Sequence, residues 1–206
     1  FSTVKNIVLT TAILSRFNLR QNINGFDMQG LWLHSLSTAA IARLIATEIH
    51  FKGREEAFVG GLLHDLGKAI HALYLPKQFS EILETTHRKG SLFLDAEREL
   101  HGTDHTAIGA WIAEKWNLPA DLSAAITHHH RPSAAGEFSR LAGIVHIADI
   151  LARGLRVGHP GDRTVPIADP NVWLDLQLDP DKLDRILRTS RTEIEKAKIF
   201  LTVNDY

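Results

Sequence analysis

GGLLHDLGKAI, residues 60–70, decides how this chain is read. An imidazole and a carboxylate, His64 and Asp65, stand side by side in an apolar run. Two glycines precede them, and Gly67 and Lys68 follow. Adjacent residues on a helix face different ways; helical partners lie three or four apart. The pair therefore predicts two polar groups serving different neighbours. Gly60, Gly61 and Gly67 carry no side chains, so another helix can come close there.

Working outward, the pattern is helical nearly throughout. Apolar residues recur at helical spacing over 4–17, 30–49 and 54–75, the last stopped by Pro76. Further helices are expected over 76–90, ending at Gly90, and over 91–102. Another covers 103–117, with Thr103 or Asp104 as N-cap. Leu118-Pro119 opens the next, and 138–155 is apolar on most sides and so expected to be buried. A Gly/Pro/Asp-rich excursion runs over 156–170, and a closing helix spans 179–201 with Asp179 as its cap. No strand, repeat or low-complexity tract stands out. The expected fold class is all-α, a compact multi-helix bundle forming a single domain over 1–206.

Composition narrows the chemistry. The 206 residues are 44% hydrophobic and 23% charged, which suits a globular protein with a substantial core. The net charge of −1, from 23 basic and 24 acidic residues, offers no electrostatic footprint for duplex nucleic acid or an anionic membrane. Without cysteine there is no disulfide, zinc-thiolate cluster or thiol nucleophile. No apolar run reaches the roughly 18 residues of a membrane span, and a cytoplasmic location is expected. The chain begins at Phe1, inside an amphipathic pattern, so a fragment of something longer is expected. Histidine is the outlier, with 12 residues, and it is the commonest metal ligand.

Nitrogen and oxygen ligands for a divalent ion occur at wide intervals: His34, the His64-Asp65 pair, His105, the run His128-His129-His130, and Asp149. His34 lies in LWLHSLSTAA and Asp149 in LAGIVHIADILA, apolar settings where an unpartnered polar group is costly. Each has an ordinary alternative. His34 can be a core histidine bonded to a carbonyl, and Asp149 can pair with Arg140 or Arg153. His105 can be helix-start polarity, the histidine run a solvated helix end, and Lys68 a surface charge. Taken together, metal ions satisfy five awkward sites at once, and that is the more economical account.

LWLHS, GLLHDLGK, DHTAIGAWIAEKWNLP, AITHHHRP and IVHIADILA, in that order, resemble the successive signatures of HDOD domains. These belong to the HD superfamily of metal-dependent phosphohydrolases and are related to HD-GYP phosphodiesterases. The resemblance covers roughly residues 1–202. It implies an HD-domain-like bundle, with a helical segment expected ahead of this chain.

The resemblance also distributes the ligands. It implies one ion held by His34, His64, Asp65 and Asp149. A second is held by His105, His129 and His130, with Asp65 bridging the two. HHRP selects His129 and His130, leaving His128 in reserve. His146 is expected to support the site from behind, and His101 to fall outside the helix that bears His105. His50, His71, His87 and His159 are expected at the surface. A Gly-Tyr-Pro element does not follow the paired histidines, so cyclic-dinucleotide specificity is not implied. Gly30 stands where some relatives carry a glutamate for a third ion, so two ions are the limit. The implied cofactor is one or two divalent ions, Fe or Mn first, with Mg, Ni or Zn as further candidates.

The implied activity is hydrolysis of a nucleotide-like phosphate ester, a phosphodiester or phosphomonoester. Asp65 and Lys68 are its catalytic residues, with Lys68 neutralising phosphate charge. The alternative is a non-catalytic signalling or scaffold domain that keeps the metal site. The expected partner is accordingly a phosphate-containing small molecule or a signalling protein.

Overall fold

A computed structural model describes residues 22–23 and 26–202. The helix expected over 4–17 lies outside these residues. The all-α expectation holds. Asn22–Ile23 (β1) and Phe26–Asp27 (β2) form one short antiparallel pair, pairing Asn22 with Asp27 and Ile23 with Phe26. The sequence did not announce it, because two residues cannot show a period.

Met28–Glu48 (α1) is the central helix. Asp27 caps it, its Oδ1 accepting from the Gln29 amide at 3.0 Å. Its apolar residues are spread around the axis, because it is covered on several sides. Arg54–Leu63 (α2), Ser139–Gly154 (α8) and Pro180–Ala197 (α10) all pack on it. In α10, Ile186, Ser190, Ile194 and Ala197 form the one buried stripe. Burying each isoleucine there contributes about 1.5–3 kcal/mol.

The helix expected over 54–75 is two helices. It breaks at His64 and Asp65, and Leu66–Tyr74 (α3) follows. Asp65 leaves the helical region at φ −97°, ψ 15°. Hydrophobic periodicity runs through both pieces, so the pattern hides the break. Pro76–Lys89 (α4) and Phe93–His101 (α5) pack together, and each ends at a left-handed glycine, Gly90 or Gly102. His105–Lys115 (α6) starts at the Asp104 cap, whose Oδ1 accepts from the Thr106 amide at 2.9 Å. Ala120–His128 (α7) follows, then a 3₁₀ segment, Pro132–Phe138. Pro170–Leu176 (α9), unforeseen, precedes α10, and Ile199–Thr202 (α11) closes the described part.

The glycines of the opening stretch act at close approaches. A Cβ on Gly61 would sit 2.8 Å from the Ala39 Cα of α1. On Gly67 it would sit 1.9 Å from the His105 carbonyl oxygen. The bare backbone on either side of the His64-Asp65 break thus lets α1 and α6 bring their own histidines in.

The irregular run after α8 folds back over this junction. The His159 amide donates to the Gly30 carbonyl at 2.8 Å, and Lys68 Nζ donates to the Pro160 carbonyl at 3.0 Å. Among the described residues no helix is long and apolar enough to cross a membrane.

Candidate metal centre

The break at His64-Asp65 turns two neighbouring side chains into one site. The His64 ring bonds the Gly61 carbonyl through Nδ1 at 2.7 Å, which aims Nε2 inward. Helix α1 supplies His34 and α8 supplies Asp149. His34 Nε2 lies 2.9 Å from Asp149 Oδ1, and His64 Nε2 lies 3.8 Å from the same oxygen. On the other side, His105 opens α6 and His129 ends α7. The His129 ring is fixed by the Ile126 carbonyl at 2.9 Å through Nδ1. His130 Nε2 comes within 3.1 Å of His105 Nε2.

Asp65 lies between the two groups. Its Oδ2 is 3.3 Å from His64 Nε2 and 3.9 Å from His34 Nε2. Its Oδ1 is 3.3 Å from His105 Nε2 and 3.8 Å from His129 Nε2. One carboxylate oxygen therefore faces each cluster. His34, His64, Asp65, His105, His129 and Asp149 are all buried, and only His130 is half-buried.

These atoms fit divalent ions better than they fit one another. His34 Nε2, His64 Nε2, His129 Nε2 and Asp65 Oδ1 are buried without a hydrogen-bond partner. Even at 2.9 Å, His34 Nε2 and Asp149 Oδ1 are not aligned as donor and acceptor. Buried polar atoms are normally satisfied, so several orphans converging in one place mark a shared external partner. Ligands each about 2.1 Å from one ion lie roughly 3.0–3.4 Å apart, close to the shorter separations here. Three His/Asp groups have ligand atoms all within 4.8 Å of one another: His34-His64-Asp149, His64-Asp65-His129 and His105-His129-His130.

The electrostatics suit these side chains to metal ligation. Burial, then neighbouring imidazoles, push His129 and His130 well below the usual histidine range, which leaves their lone pairs free. Burial also lowers His34, despite Asp149 beside it. His64 is the exception: burial lowers it, but the charge and hydrogen bond of Asp65 and the charge of Asp149 together outweigh that and raise it. Burial raises Asp65, yet His64 and Lys68 hold it well below the carboxylate range. Arg153 and His34 do the same for Asp149.

A second layer holds the candidate ligands. Glu97 on α5 is buried, and its Oε2 meets His105 Nδ1 at 2.5 Å, which turns Nε2 toward Asp65. A carboxylate behind a ligating histidine fixes its tautomer and orientation. Arg153 donates from Nε to Asp149 Oδ1 at 2.9 Å and from Nη1 to Asp162 Oδ1 at 2.8 Å. So Asp149 has both a ligand's position and the arginine partner that was its ordinary alternative; Arg140 is exposed. His146 supports the site as expected. Its Nδ1 donates to the His129 carbonyl at 2.8 Å, and its Nε2 accepts from the Asp169 amide at 3.1 Å.

Other expectations meet different outcomes. Lys68 is fully buried, with Nζ 2.8 Å from Asp65 Oδ2, so it is not a surface charge. His101 ends α5, outside the His105 helix as expected, and His128 is half-buried. His50 and His87 are exposed, but His71 is buried 3.8 Å from Glu97 Oε1 and His159 is half-buried against Gly30 and Phe26. Both were expected at the surface, because their burial comes from segments distant in sequence. Glu97 and Asp162 were missed for the same reason.

Residues 1–132, more than half of the chain, match the HDOD domain family. The chain belongs to the HDOD family. Over 159 residues this HDOD chain is 30% identical to ribonuclease Y of Mycoplasmoides gallisepticum, covering 76% of the chain but only 24% of that protein. An HDOD domain protein from Geobacter sulfurreducens is 25% identical, with a TM-score of 0.73 over 100% of this chain and 67% of that one. The MmoQ response regulator of Methylococcus capsulatus is 26% identical, with a TM-score of 0.56 over 80% of this chain and 62% of that one. The HDOD fold and a His/Asp cluster able to hold metal thus come together in one chain.

Proposed function

We propose that this HDOD domain is a dinuclear metal-dependent phosphohydrolase acting on a nucleotide-like phosphate ester. The position of Asp65, one oxygen toward each histidine cluster, carries this reading. His34, His64, Asp65 and Asp149 would hold one ion, and Asp65, His105, His129 and His130 the other. Bound divalent ions supply Lewis-acid activation of water and neutralise charge on the phosphate. Fe or Mn suits a mixed imidazole and carboxylate set.

The chain's own residues do the rest. Lys68 holds Asp65 in its bridging orientation and adds a positive charge beside it. Glu97 orients His105, and Arg153 orients Asp149. The half-buried His130 marks the open side, where an ester would enter. Similarity to a ribonuclease supports including phosphodiesters among the substrates tested.

The near-complete burial of the ligands favours a second reading, a metal-holding signalling domain without turnover. One experiment separates them. Mn- or Fe-loaded protein is assayed against bis(p-nitrophenyl) phosphate, mononucleotides and short single-stranded RNA, with Asp65→Asn as control. The proposal expects turnover that falls at least about 100-fold in the variant, as for loss of a central electrostatic group. Equal rates in both, with metal bound to the wild type, would leave the signalling reading.

A further inference from the structure

Away from the metal ligands, the 155–169 run borders two adjoining cavities of about 360 Å³ each. Arg163 and Thr164 border both. The first cavity is also walled by Arg153, Arg156 and His159. The second reaches Thr86, His87 and Ser91 at the end of α4. None of the seven proposed metal ligands lines either cavity.

The lining is cationic with little to balance it. Asp162 is the carboxylate there, and it is already spent. Its Oδ1 accepts from Arg153 and the Thr164 amide, and its Oδ2 from the Phe93 amide. Among the described residues, the guanidinium groups of Arg156 and Arg163 have no hydrogen bond or ion pair. Burial and then the nearby His87 push the His159 imidazole down, with Asp162 and Asp27 opposing and Arg163 adding to the shift.

A second observation is independent of charge. Thr86 is almost wholly buried, and its hydroxyl has no hydrogen-bond partner; nor has the buried hydroxyl of Ser91. Unsatisfied hydroxyls beside free guanidinium groups match the acceptor-only oxygens of a phosphate. Arginine suits this role through its fixed fork of donors. The walls contain no Phe, Tyr or Trp on which a base would stack.

We propose that this cleft binds the phosphate groups of a small anionic ligand at a site separate from the metal centre. The site does not depend on the hydrolase reading, since the cavities contain none of the metal ligands. Arg153 links it to the centre, reaching both Asp162 and Asp149, and so does Lys68, which reaches both Asp65 and the Pro160 carbonyl.

Calorimetric titration of the full chain with pyrophosphate, with and without saturating Mn²⁺, tests this. Wild type is expected to bind in both conditions with a Kd below about 1 mM. Arg156→Ala/Arg163→Ala and, separately, Thr86→Val are the variants, each checked for unchanged circular dichroism and Mn²⁺ uptake. A loss of about tenfold or more in either variant supports the site. Absence of binding to metal-free wild type, or wild-type affinity in both variants, overturns it. Hydrolytic activity plays no part in the readout, so failure of the hydrolase reading leaves this result interpretable.

Discussion

Glu97 Oε2 and His105 Nδ1 meet across the junction of α5 and α6 at 2.5 Å, and both groups are buried. The contact leaves His105 Nε2 facing Asp65. Burial raises the Glu97 carboxyl, but His105 and then His71 hold it below the usual range. Glu97→Gln keeps the shape and removes the charge. It is expected to weaken the ion at His105, His129 and His130 by about 10- to 100-fold, as other outer carboxylates do. The ion at His34, His64 and Asp149 should be retained. Stepwise Mn²⁺ titration followed by electron paramagnetic resonance checks this; equal weakening of both steps would contradict it.

Gly67→Ala tests the close approach that admits His105. Its Cβ would fall 1.9 Å from a backbone oxygen, so a helix must move. Overpacking of this kind costs about 1–3 kcal/mol, sometimes more, and this site belongs at the upper end. Gly154→Ala, with open space around its Cβ, should change stability by less than about 1 kcal/mol. Urea unfolding of both variants decides it. Similar midpoints would show that α3 and α6 are not held this closely.

Arg153→Met removes the shared partner of Asp149 and Asp162. Breaking a buried pair from one side costs about 3–5 kcal/mol, because the other charge stays buried. Bound Mn²⁺ should recover part of this loss by serving Asp149 directly. The measurement is the thermal midpoint with and without Mn²⁺. A variant as stable as wild type without metal would contradict the bridge.

Acid should destabilise the metal-free protein in two stages. His34, His129, His130, His146 and His159 are all lowered in the fold. Below the unfolded value of about 6.5 the unfolded chain binds more protons at these sites, so stability falls as pH falls. His64 is raised and opposes this: its contribution is full below about 6.5 and is lost as pH rises through its folded value. Five groups outweigh one. Asp65, Glu97 and Asp149 are lowered, so their contribution is present above the unfolded value of about 4 and is lost as pH falls through their folded values. Urea midpoints from pH 7.5 to 3 should fall throughout, whereas a rise between pH 7 and 5.5 would contradict this balance.

Much of the centre was legible because its residues violate their surroundings. His34 and Asp149 interrupt apolar helices, and only a partner explains them. Arg153 was one of the two arginines the sequence offered as a partner for Asp149, and it is the one that pairs. The break at His64-Asp65 was not, because apolar periodicity continues through both helices. Glu97 was not either. In LDAEREL it looks like a solvated helix residue, and only the docking of α5 beside α6 buries it. Asp162 and His159 lie in a Gly/Pro-rich run, where no period indicates which side chains turn inward.

The central claim is that Asp65 joins two ion sites. Anomalous diffraction from crystals grown with Mn²⁺ tests it most directly. Two peaks roughly 3.5–4 Å apart are predicted, one on each side of the Asp65 carboxylate. One touches His34, His64 and Asp149, and the other touches His105, His129 and His130. No peak at Asp65, or Mn²⁺ bound only elsewhere on the chain, would contradict the account.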